Sequence, residues 1–163
     1  MSPDLIQYYE KKGLIKPRAA ILVHKGLEKQ CNELTQFTTP DQIAIEIKHE
    51  NQTFIIASTY MDITLDIPPA QTSPLIQYAQ KRNIPLITCS DTNSRHTLWG
   101  DKICNSRGEQ LLDFLNGVDL TWANKGSTPT FANSRGQESL IDITITNNKG
   151  FDLIDNWKVD LTH

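Results

Sequence analysis

The stretch Ile84-Pro85-Leu86-Ile87-Thr88-Cys89-Ser90-Asp91-Thr92-Asn93 decides the fold class. Residues 84–89 form a near-continuous apolar run, the character of a strand covered on both faces, and a short polar tail follows. In α/β proteins, ligands and catalytic groups gather where such strands end, because the loop is exposed while its base is held rigid. An acid and an amide two residues apart at that point suit hydrolysis of a phosphate ester. Asp91 can take a proton from water or hold that water by a hydrogen bond, and Asn93 can fix the water or a phosphate oxygen without adding negative charge. A bland reading stands beside it: Asp-x-Asn after a strand also forms an Asx-turn that carries no chemistry. Cys89, inside the apolar run, reads as a small buried hydrophobe.

Toward the N-terminus, residues 73–82 read as a helix, with Ser73 as N-cap, Pro74 at the first helical position, and Leu75, Tyr78 and Ala79 on one face. Residues 53–60 read as a buried strand. Before them, Ile43, Ile45 and Ile47 alternate with Ala44, Glu46 and Lys48, the period of a half-buried strand. The polar link His49-Glu50-Asn51-Gln52 joins the two as an antiparallel hairpin. Residues 19–23 are a compact, strand-like apolar run, and residues 4–12 suit an amphipathic turn or two.

Toward the C-terminus, a helix over 108–116 presents Leu111, Leu112 and Leu115 and stops at Gly117. Strands are expected at 118–122, 140–146 and 153–159. In 140–146 the residues Ile141, Ile143 and Ile145 share one face, which turns Asp142, Thr144 and Thr146 to the other. Many strands with few helices predict an α/β fold of packed sheets with outer helices rather than a regular βαβ repeat.

The length of 163 residues suits one domain, 1–163. With 38% hydrophobic and 21% charged residues, the chain is neither disordered nor fibrous, and no apolar run approaches the roughly 20 residues of a membrane span. A net charge of −3 argues against coating nucleic acid by bulk electrostatics, while a local basic patch or a metal ion can still bind phosphate. Cys31, Cys89 and Cys104 are widely spaced without a C-x-x-C, which indicates neither a disulfide framework nor a zinc site and suits a reducing compartment.

Around Asp91 and Asn93 stands an ordered set: Pro17-Arg18-Ala19-Ala20-Ile21, Ser58-Thr59-Tyr60, His96-Thr97-Leu98-Trp99-Gly100, Asn105-Ser106-Arg107-Gly108-Glu109, Asn124-Lys125-Gly126, Pro129-Thr130-Phe131 and Ser139-Leu140-Ile141-Asp142. In that order it resembles the endonuclease/exonuclease/phosphatase superfamily, and within it the apurinic-type endonuclease domain of non-LTR retrotransposon polyproteins. The resemblance covers nearly the whole chain. It implies a four-layer α/β sandwich of two packed mixed sheets with outer helices, and hydrolysis of DNA phosphodiesters assisted by Mg²⁺ or Mn²⁺. It implies DNA and the reverse transcriptase region of the same polyprotein as partners, no membrane, and an intracellular location that is nuclear where the enzyme is active.

Residue by residue, the resemblance implies that Asp91 moves a proton or positions the nucleophile and that Asn93 orients the water. Tyr60 would contact the scissile phosphate, and Asp142 would orient a catalytic histidine. Arg95, His96, Arg107, Thr130 and Ser139 are candidates for nucleic-acid contact. Plain alternatives remain beside these: Tyr60 as a strand-end aromatic, Asp142 as an acid on a solvated face, His96 as a structural histidine, and the arginines as scattered surface charge. Trp99, Trp122 and Trp157 read as packing residues.

The chain also departs from the family. Where members carry Gly-Asp-Phe-Asn and then Ala-His-His, Ser90, Thr92, Ser94 and Arg95 stand at non-matching positions, with Asp91 and Asn93 intact. No counterpart of the family's metal-binding glutamate is found, Glu10 is not assigned to that role, and the Ser-Asp-His triplet would begin just past His163. The reading therefore expects a domain truncated at both ends, a metal ligand outside the chain, and little or no activity of the chain alone. Two alternatives accompany it: a non-catalytic remnant with at most weak nucleic-acid binding, and a phosphatase of the same fold.

Overall fold

The computed structural model describes residues 16–160. The turn expected at 4–12, Glu10 and His163 lie outside the described residues.

Among the described residues there are eight strands: β1 (Cys31–Glu33), β2 (Gln42–His49), β3 (Gln52–Tyr60), β4 (Leu86–Asp91), β5 (Thr121–Trp122), β6 (Phe131–Ala132), β7 (Glu138–Ser139) and β8 (Asp142–Thr146). Among the described residues, six form one mixed sheet in the order β1-β2-β3-β4-β8-β5, and β6 with β7 make a separate ribbon. The expected hairpin is β2–β3, closed by pairing of His49 with Gln52, so Glu50 and Asn51 form the turn. Glu50 takes a positive φ of 52°, which tight hairpins require. Helix α1 (Thr72–Arg82) carries the chain from β3 to the parallel β4, and β8 then pairs with β4 antiparallel.

Leu75, Ile76 and Ala79 of α1 and Leu111 and Leu115 of α2 (Ser106–Gly117) cluster with Ala44, Ile55, Ala57, Leu86, Ile143 and Ile145 of the sheet. Full burial of one such large apolar side chain contributes about 1.5–3 kcal/mol. The period of two then fixes the opposite face, which carries Ser58, Tyr60, Cys89, Asp91, Asp142 and Thr144. In β2 the alternation is present, but the helix side takes Gln42, Ala44 and Glu46 rather than the isoleucine stripe. That is tolerable because the polar groups are satisfied. The Gln42 amide donates to the carbonyls of Phe37 and Gln71 and accepts from the Thr72 hydroxyl, and Glu46 pairs with Arg82.

Several expected boundaries move. Residues 19–23 are not a strand: the N–H groups of Arg18 and Ala19 both donate to the Pro40 carbonyl, Leu22 is 99% exposed, and no sheet edge among the described residues completes a ladder there. Residues 153–159 are not a strand either. Asn147 caps a short helix, α3 (Asn148–Phe151), and the chain continues as irregular backbone. The strand expected at 118–122 is reduced to β5, and the one at 140–146 begins at Asp142. Helix α1 starts at Thr72 after Gln71, so Ser73 and Pro74 lie inside its first turn. Helix α2 starts at Ser106, because the Asn105 side chain accepts from the Gly108 N–H at 2.7 Å. Among the described residues no helix is long and apolar enough to cross a membrane.

Candidate active site

Asp91 is the last residue of β4, and register places Tyr60 of β3 on one side of it and Asp142 of β8 on the other. Adjacent strands lie about 4.8 Å apart, so the three side chains occupy one face within about 10 Å. They line a cleft of about 570 Å³, shared with Arg18, Cys89, Thr130, Thr144 and Trp157. Burial pushes the Asp91 carboxyl upward from the ordinary carboxylate value, the negative charge of Asp142 adds to this, and the Asn93 N–H opposes it. An acid that holds its proton to higher pH than usual suits proton transfer.

Asn93 adopts a left-handed backbone, φ 52°. Its N–H donates to Asp91 Oδ1 at 3.3 Å, which is the Asx-turn of the bland reading, and its Nδ2 donates to the Met61 carbonyl at 3.2 Å. Its amide orientation is therefore fixed, although Asn93 is not itself among the cleft-lining residues. Tyr60 is held from above. The Arg18 guanidinium lies 4.6 Å from the ring centroid, pairs with Asp41 at 2.6 Å through Nη2, and also pairs with Asp62. Asp62 sits well below the usual carboxylate range, through the Thr64 N–H first, then the Thr64 hydroxyl and Arg18. Asp142 is exposed; its own N–H donates to Thr130 Oγ1 at 3.1 Å, and its carbonyl accepts from Asn124 at 2.9 Å.

Of the residues expected to touch nucleic acid, Thr130 alone reaches the cleft. Arg95 grips the buried Asp101 through Nε and Nη2 at 2.9–3.1 Å. Arg107 donates to the carbonyls of Thr92, Met61, Asp62 and Leu65, and burial lowers its pKa. His96 is buried beside Trp99, its Nδ1 accepting the Leu98 N–H at 3.0 Å. Ser139 lies in β7 and lines a separate small cavity. These four do not line the cleft. Cys89 also departs from expectation: it is exposed and opens into the cleft, because it shares the period-two face of Asp91. That period was available in the sequence. The contribution of Trp157 was not, since the segment bearing it makes no strand.

Two groups of side chains bear on a divalent metal. The first is His96, Cys104 and Glu109, whose ligand atoms lie within 4.8 Å of one another. Because His96 Nδ1 accepts a backbone N–H, the neutral ring carries its proton on Nε2, the nitrogen that faces Glu109 at 3.7 Å. Cys104 donates to the same carboxylate at 3.1 Å. The carboxylate is thus already engaged by the thiol, and a thiol is a poor ligand for Mg²⁺. The second is Asp91 opposite Asp142, hard oxygen donors whose mutual repulsion a cation would relieve. The cleft carboxylates fit such an ion.

Residues 68–162 match the endonuclease-reverse transcriptase family. Among solved structures, the chain is similar to the endonuclease domain of TRAS1, a telomere-specific non-LTR retrotransposon, at 24% identity and a TM-score of 0.72, covering 98% of this chain and 84% of that one. It is also similar to the human Nocturnin catalytic domain with bound sulfate anion, at 23% identity and a TM-score of 0.42, covering 73% of this chain and 45% of that one. No curated protein matches the sequence. The first likeness establishes the fold, and that fold is the α/β sandwich the sequence resemblance implied.

Proposed function

Because the chain belongs to the endonuclease-reverse transcriptase family, we propose that its cleft hydrolyses a DNA phosphodiester with the aid of a divalent metal. The observation that carries this reading is the register of β3, β4 and β8, which sets Tyr60, Asp91 and Asp142 side by side on one face. Asp91 and Asp142 would hold the ion, whose charge would offset that developing on the phosphate. Asp91, at the end of β4 where the water would lie, accepts a proton from the attacking water at the carboxylate oxygen left free by the ion. Asn93, behind the cleft lining, has its Nδ2 tied to Met61 and its N–H to Asp91 Oδ1, which leaves its Oδ1 as an acceptor that would orient that water from beside Asp91. The Tyr60 hydroxyl donates to a phosphate oxygen, from a ring fixed by Arg18. Asp142, anchored through its N–H to Thr130, faces the same pocket from β8. DNA is the partner on this reading, the reverse transcriptase region of the same polyprotein its neighbour, and the nucleus its place of action.

The test is nicking of supercoiled plasmid by the purified chain in Mg²⁺, in EDTA, and by Asp91→Asn. The expected result is slow, Mg²⁺-dependent nicking that falls at least about 100-fold in the variant, as loss of a general base predicts. Nicking that is equal in Asp91→Asn, or indifferent to EDTA, refutes the reading. Faster turnover of a small phosphomonoester than of plasmid would favour the phosphatase alternative instead.

A further inference from the structure

We propose that residues 155–159 form a strap whose Trp157 indole is a stacking wall for a nucleotide unit of bound DNA, an inference that rests on the nucleic-acid reading above. Trp157, Lys158 and Val159 line the cleft together with Asp91 and Asp142. The strap makes no backbone hydrogen bond among the described residues; what ties it to the sheet is the side chain of Trp157, whose Nε1–H donates to Thr144 Oγ1 at 3.0 Å. Thr144 is two residues beyond Asp142 on the same face and pairs with Cys89 across the β4–β8 register. The indole is therefore pinned beside the carboxylates.

Trp157 differs from the other tryptophans in kind. Trp99 is 1% exposed within the core, and Trp122 packs edge-on to it at 6.0 Å. Trp157 is only half-buried and stands outside the core cluster. On the far side of β4 stands Tyr60 in β3, so one aromatic residue flanks the carboxylates from β3 and the other, tied to Thr144, from beside β8. A cleft with acids on its floor and aromatic rings on two walls fits a phosphate with an attached nucleoside. The ring's orientation is already fixed by its N–H bond, so stacking costs little ordering. Lys158 adds charge that Arg18, Arg95 and Arg107 cannot: they are committed to internal partners, whereas Lys158 is exposed and makes no ion pair among the described residues.

Binding of a short fluorescent single-stranded DNA in EDTA, followed by anisotropy, tests the strap without requiring catalysis. Trp157→Phe keeps an aromatic face and should stay within about threefold of wild type, whereas Trp157→Leu should lose about tenfold or more. Lys158→Gln should lower the salt slope by about one. Thr144→Val unpins the ring without removing it and should give an intermediate loss, which serves should Trp157→Leu fail to fold by near-UV circular dichroism. Wild-type affinity in a folded Trp157→Leu, or in Thr144→Val, overturns the proposal, as does wild-type protein that binds no DNA. Failure of nicking with EDTA binding preserved would sink the catalytic reading and leave the strap standing.

Discussion

Replacing Asp101 by Asn should unfold this protein more readily than any exposed substitution. The Asp101 side chain is 1% exposed and accepts from Arg95 Nε and Nη2, from the Ile103 N–H at 3.0 Å and from the Leu140 N–H at 2.7 Å. An asparagine puts an NH₂ where four donors converge, so at least one backbone N–H loses its acceptor and the guanidinium loses its counter-charge. Breaking a buried pair of this kind costs about 3–5 kcal/mol. In a domain of this size 1 kcal/mol moves the midpoint about 2–4 °C, so the drop should be roughly 10 °C. The pH dependence has a definite sign. Burial pushes the Asp101 carboxyl up, but the Arg95 pair and the two backbone N–H groups outweigh it and hold it below the ordinary value. Its stabilisation is therefore complete above the unfolded carboxylate's pKa of about 3.9 and is lost as pH falls through the lower folded value. Thermal denaturation of both proteins by circular dichroism from neutral to acidic pH measures the gap. A deficit under about 1 kcal/mol at neutral pH, or one that widens in acid, would refute the assignment of Arg95 and Asp101 as a structural pair.

Asp142→Asn removes a negative charge that raises the Asp91 acid, so in EDTA the Asp91 carboxyl should titrate at lower pH than in the unaltered protein when followed by NMR; an unmoved titration counts against the two carboxylates facing each other across the β4–β8 pair. Arg107→Met strips donors from four carbonyls and should cost about 2–4 kcal/mol by urea denaturation while leaving DNA affinity and its salt slope unchanged. Gly100→Ala should destabilise by about 2 kcal/mol or more, since Gly100 has φ +100° and an added Cβ would run into the Gly126 carbonyl oxygen; a neutral result in thermal melts would contradict that close approach.

The central hairpin, the parallel strand before Asp91 and both long helices were legible because each carries a full local signal: alternation, a continuous apolar run, or leucines at helical spacing. The runs at 19–23 and 153–159 carry similar local signals but form no strand, because a strand also needs a neighbour, and sequence periodicity does not say where one stands. For the site, the order of motifs pointed to Tyr60, Asp91 and Asp142, and register brings these together. Arg95, His96 and Arg107 have the right charge for phosphate, yet their partners sit in other loops: Asp101 and Glu138 for the first, Leu98 and Glu109 for the second, the 61–65 carbonyls for the third. Whether an arginine faces solvent or a buried carboxylate is decided by tertiary contacts that composition does not record.

The mixed pairing of β4 has a consequence for how this molecule acquires its cleft. Tyr60 and Asp91 meet through a parallel crossover, but Asp142 arrives only when a strand some fifty residues further along closes antiparallel on β4. Such long-range closure is slow relative to local helix and hairpin formation. Proteolytic or mutational loosening of β8 would dissolve the site as a unit while leaving the β2–β3 hairpin paired, so hydrogen exchange in β8 should report the competent cleft more faithfully than exchange in the hairpin.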